Sequence, residues 1–99
     1  METFDTNVVL RMVYSDDEAQ ASRATRAWRK AVASGGIFLT TTVLVELAWV
    51  LRVAARFDRA AIASALRRVC DSQVVSVEDE PRVRRALARY EGGSADFSD

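Results

Sequence analysis

The groups in this chain whose type and spacing could do chemistry are acids: Asp5, Glu46, Asp96 and Asp99. Glu46 is the most telling. It lies inside the apolar run Val43 to Val53, where helical spacing gives it Thr42, Val43, Trp49, Val50 and Val53 as same-face neighbours. A carboxylate on an apolar face loses hydration unless it is paired, protonated or bound to a cation. Two readings stand for it: an ion pair or an edge position that reaches water, and a ligand to a cation. Asp5 also has two readings. Asp5-Thr6-Asn7 is good turn and helix-cap chemistry, and it would equally put a metal ligand at the carboxyl end of a strand. Thr6 and Asn7 would then hold the carboxylate or a metal-bound water with their hydroxyl and amide. Asp96 and Asp99 are three apart, so in a helix they share a face. They either complement a helix N-terminus or face a cation together.

Other chemistries are excluded by composition. The chain has no histidine and one cysteine, Cys70. Ser-His-Asp and Cys-His catalysis, His-ligated zinc, an intramolecular disulfide and Cys-cluster zinc are therefore unavailable. Gly-rich phosphate cradles of the Gly-Lys-Ser/Thr type are absent. A phosphoacceptor site with paired acids after the first strand and a late lysine is absent too. What remains runs on carboxylates, hydroxyls, arginines or a metal. Net charge is zero, so no global field draws in nucleic acid or an acidic membrane. Of the 14 basic residues only Lys30 is lysine, and arginine's planar fork suits phosphate. Arg11, Arg52 and Arg56 are candidates for phosphate contacts, with ion-pair or solvated-face roles as the alternative. No secretory signal opens the sequence, and Val43 to Val53 is too short for a span of ~20 residues. The expectation is a cytoplasmic protein without a membrane partner.

The elements that must position these acids follow from pattern. Ninety-nine residues suit a single domain. Glu2 to Asp5 reads as a strand, and Thr6-Asn7 as the turn into a helix near Val8 to Val13. Ser15-Asp16-Asp17-Glu18 has the form of a capping box for a helix to about Ala33, stopped by Gly35-Gly36. Ile37 to Leu39 is a buried-strand run. A helix follows over roughly Thr42 to Ala55, and Asp58 caps the next, Arg59 to Asp71. Val74 to Val77 is the third strand. Glu78 to Pro81 opens a helix that Gly92-Gly93 end, and Ser94 is placed to cap a last one. Short apolar strands alternating with helices predict an α/β fold with a parallel sheet and helices on both faces. Ligands of such sheets bind beyond the carboxyl ends of the strands, here just after Phe4, Leu39 and Val77.

Three stretches resemble the acidic motifs of PIN domains in family order: Asp5 to Arg11, Thr40 to Leu51, and Gly93 to Asp99, with Val77 to Glu80 as a further match. The closest likeness is to VapC-type ribonuclease toxins. The resemblance implies a single PIN domain over residues 1–99, a three-layer α/β/α fold with a short central parallel sheet. It also implies that the domain is C-terminally short, without the family's last helix and strand. Asp5, Glu46 and Asp99 match the family's catalytic, metal-binding acids, and Asp96 is a nearby acid. The implied cofactor is Mg²⁺ or Mn²⁺, hard cations suited to carboxylates. The implied activity is endoribonuclease hydrolysis of RNA phosphodiesters by a metal-activated water, as the toxin of a type II (VapBC-like) toxin–antitoxin system. Implied partners are RNA, a VapB-like antitoxin, and a second copy in a homodimer or toxin–antitoxin hetero-oligomer. The alternative is a truncated, non-catalytic PIN module acting through antitoxin binding or dimerisation.

Overall fold

Residues 1–14, 17–93 and 97 are described in the computed structural model of the chain. Along these residues run β1 (Glu2–Thr3), α1 (Thr6–Val13), α2 (Glu18–Ala33), β2 (Ile37–Leu39), α3 (Thr41–Val53), α4 (Arg59–Asp71), β3 (Val75–Val77) and α5 (Glu80–Glu91). The expected alternation of strands and helices is present. The helix expected from Ser94 lies outside the described residues.

Helix starts follow from side chains that satisfy the orphan backbone N–H groups of a first turn. Asp5 accepts from the Val8 N–H at 3.0 Å, so α1 begins at Thr6 and the expected Thr6-Asn7 turn is already helical. Thr40 accepts from Val43 at 3.2 Å, and Asp58 from Ala61 at 2.8 Å. The cap of α2 is Asp17, whereas the capping-box pattern begins at Ser15, which lies outside the described residues. The Asp17 carboxylate takes the N–H groups of Ala19 and Gln20, and a full negative charge suits that end of a helix.

Among the described residues the sheet has three strands in the order β1-β2-β3, all parallel. Register pairs Glu2 with Ile37 and Ile37 with Val75, then Leu39 with Val77. Ile37, Leu39, Val75 and Val77 are buried on one face. On the opposite face Thr3 and Ser76 are exposed and Phe38 is half-buried. Gly36, which enters β2, has φ +112°, and a Cβ there would sit 2.8 Å from the Val74 carbonyl oxygen. Only glycine suits that backbone and that close approach.

The core is aliphatic. Ile37, Leu39, Leu44, Leu47, Leu51, Ile62, Leu66 and Leu87 are fully buried. Cys70 joins them as a small hydrophobe, as its helix position suggests. α3 supplies Leu44, Leu47, Ala48 and Leu51 to this core, leaving Thr42, Glu46, Trp49 and Val53 on its outer face. Arginines bind α5 to α4: Arg84 reaches Asp71 and the Cys70 carbonyl, and Arg67 reaches Glu91. Arg59 donates to the Tyr90 carbonyl at 3.1 Å and lies over the Tyr90 ring at 4.4 Å.

A parallel sheet has all its carboxyl ends on one edge. Here each strand runs almost directly into a helix: β1 into α1, β2 into α3, β3 into α5. Three helix N-termini, each the positive end of its dipole, therefore gather at that edge.

Candidate active site

Two acids forty-one positions apart in sequence, Asp5 and Glu46, meet at this edge. Asp5 caps α1 with one carboxylate oxygen on the Val8 N–H. Thr6, the next residue, donates its hydroxyl to Glu46 Oε2 at 2.9 Å. Glu46 comes from the second turn of α3, which packs beside α1. Both carboxylates are exposed to solvent. The cost of burial that made Glu46 conspicuous in the sequence is thus not incurred. Its neighbours Trp49 and Val53 are themselves 57% and 51% exposed, so this apolar face is the outside of α3. The contact found for the Glu46 carboxylate is a neutral hydroxyl, which leaves its charge able to serve a cation. Asn7 is also exposed, on the first turn of α1.

Glu78, just beyond β3, completes the edge. Its Oε1 accepts from both the backbone N–H and the hydroxyl of Thr41, at 2.9 and 3.1 Å. These bonds favour the ionised form and hold its carboxyl below the ordinary glutamate value of 4.5. A lowered folded-state value means that the stabilisation is present above about pH 4.5 and is lost as pH falls through the folded value. The expected result is that wild type is more stable than Glu78→Gln at neutral pH, and that urea melts of the two converge in acid. An offset that persists unchanged at about pH 3, below the ordinary glutamate range, would show that ionisation of Glu78 is not the cause. Asp79 follows with φ +50° and opens α5 without a side-chain cap.

The donor atoms are of the type that hard divalent cations take. Asp5, Glu46 and the Thr6 hydroxyl are oxygen donors at the surface, and Mg²⁺ is held by one or two carboxylates with waters completing its shell. Among the described residues no three acids, histidines or cysteines gather closely enough to make a ligand set by themselves. Asp96 and Asp99 lie outside the described residues. Of the arginines expected near phosphate, Arg11 and Arg52 occupy the last turns of α1 and α3, and Arg56 lies beyond α3.

A cleft of about 210 Å³ opens between α3 and α5, lined by Thr41 and Val45 from α3 and by Arg82, Val83, Ala86 and Arg89 from α5, with Phe97 against it. Its arginines went unnoticed in the sequence, although Arg82 and Arg89 are seven apart and so share a helix face. Glu78 had a clearer signal, since it stands in one of the three positions just past a strand end.

Among the described residues no helix is long and apolar enough to cross a membrane. No curated protein and no solved structure matches the chain significantly. The family model for the PIN domain, however, matches residues 3–98, nearly the whole chain. PIN domains are generally nucleases and typically use divalent metal ions. The parallel sheet, the acids at its carboxyl edge and this match agree: the chain belongs to the PIN-domain family.

Proposed function

We propose that the chain is a Mg²⁺- or Mn²⁺-dependent endoribonuclease, the toxin of a VapBC-like pair, acting in the cytoplasm. The observation that carries the reading is the hydrogen bond from Thr6 to Glu46, which brings the first-strand acid Asp5 and the α3 acid Glu46 to one edge. Asp5 and Glu46 would hold the cation with Asp99 as third ligand and Asp96 nearby. Thr6 fixes the direction of the Glu46 carboxylate, and the Asp5 carboxylate is fixed by its capping bond. The N-termini of α1, α3 and α5 favour the anionic RNA backbone at the same edge. A Mg²⁺ or Mn²⁺ ion held there would supply charge neutralisation at the phosphate and would lower the pKa of water, so that hydroxide is available as the nucleophile.

The exposed Trp49 and Val53 continue the outer face of α3 beyond Glu46. A VapB-like antitoxin or a second copy of the chain would cover them, since exposed apolar patches of this kind serve contacts. The reading predicts RNA cleavage that needs added Mg²⁺ or Mn²⁺, leaves 5′-phosphate ends, stops with a chelator and resumes with excess metal. Purified protein assayed on structured and unstructured RNAs decides it. Cleavage that survives the chelator, or none on any RNA, would overturn it.

A further inference from the structure

The cleft between α3 and α5 lies one helix face away from the acids. Val45 and Glu46 are consecutive on α3, so their side chains diverge by about 100°. Glu46 turns to Thr6 on α1, whereas Val45 and Thr41 line the cleft with α5. A chain crossing the N-terminal half of α3 would therefore meet the carboxylates first and the cleft next.

The lining is mixed in a particular way. Val45, Val83 and Ala86 give apolar walls, while Arg82 and Arg89 bring guanidinium groups and Thr41 a hydroxyl. Arg82 is largely in solvent, and its ion-pair partner Asp79 is 3.9 Å away. That leaves its fork able to take a second anion. The volume, about 210 Å³, is below the ~300–1,000 Å³ of sites for drug-sized ligands, so it suits one flat ring system and little more. A flat apolar group joined to an anion is the chemistry of a nucleotide. Bases are held in protein clefts by apolar and stacking contact, and phosphates by arginine.

We propose that this cleft binds the nucleotide next to the one being cleaved, with its base between Val45 and Ala86 and its phosphate on Arg82, and so sets base preference. The proposal rests on the ribonuclease reading for its role, but binding itself can be tested without activity. Methyl resonances of the labelled chain would be followed while each of the four nucleoside 5′-monophosphates is added, with ribose 5-phosphate as control. Shifts are expected at Val45, Val83 and Ala86, differing among the four bases and absent with ribose 5-phosphate. Arg82→Ala should weaken binding about tenfold, the loss of one charge-assisted hydrogen bond. Ala86→Trp should fill the cleft and abolish binding, and Glu46→Gln should leave it unchanged. In an active enzyme Ala86→Trp should also flatten base preference beside the cut without stopping cleavage, whereas Arg82→Ala should weaken all four bases alike. If nucleotide binding is seen but no cleavage, the cleft stands and the ribonuclease reading fails. No shift with any base, an equal response to ribose 5-phosphate, or uptake of an apolar–acidic peptide in place of nucleotides would overturn the proposal.

Discussion

Asp5→Asn and Glu46→Gln are each expected to lower metal-dependent RNA cleavage by about 10³-fold, since a metal ligand's several kcal/mol convert at about 1.4 kcal/mol per decade. Folding should hardly change, and the geometry says why. Asparagine caps helices about as well as aspartate, so the amide introduced by Asp5→Asn would keep a side-chain oxygen for the Val8 N–H. The amide carbonyl introduced by Glu46→Gln can still accept from the Thr6 hydroxyl as Glu46 Oε2 does. Both changes remove the negative charge and leave the shape. Calorimetric titration with Mn²⁺ should show weakened binding in each variant, while the melting temperature stays within about 3 °C of wild type, as surface changes of a few tenths of a kcal/mol imply. Normal folding with undiminished cleavage in both variants would remove these carboxylates from the reaction. Thr6→Val offers a milder version. It deletes the hydroxyl that steers Glu46 and leaves both carboxylates in place, so its loss should be smaller than that of Glu46→Gln.

Much of this site was legible because its parts are local. Asp5 was readable as a strand-end acid because capping and turn chemistry are written in three adjacent residues. The rule that ligands lie past strand ends pointed directly at the position Glu78 occupies. Glu46 was found for a reason that the structure revises. Periodicity reports which residues share a helix face, but not whether that face looks inward. Val50, Val53 and Trp49 are as apolar as Leu44, Leu47 and Leu51, and only packing against α1 and α4 decides which set is buried. The cleft was least legible. Thr41 and Arg82 become neighbours only when β2 and β3 pair and set α3 beside α5, and no local pattern records that distance. The start of α2 shows the same limit at small scale. Its cap is Asp17, and the run Asp16-Asp17-Glu18 does not by its sequence say which acid stands at the helix start.

Leu47→Ala is the converse of the charge-removing variants. Leu47 stands next to Glu46 on α3, but points into the core, where it is fully buried. Truncating such a residue costs about 3 kcal/mol from lost transfer and the cavity left behind. A chain of 99 residues has only roughly 5–15 kcal/mol in total. Its melting temperature should therefore fall by about 15 °C, at several degrees per kcal/mol for a domain this small. At about 25 °C most molecules would remain folded, so cleavage per folded molecule should stay near wild type. The two neighbours then give opposite signatures: Glu46→Gln silences a stable protein, and Leu47→Ala weakens an active one. A melting shift below about 4 °C, which corresponds to less than about 1 kcal/mol, would mean that this side of α3 is not packed on the core. Glu46 would then lose the rigid backbone that turns it toward Thr6, and with it the reason for two distant acids to be held together for one task.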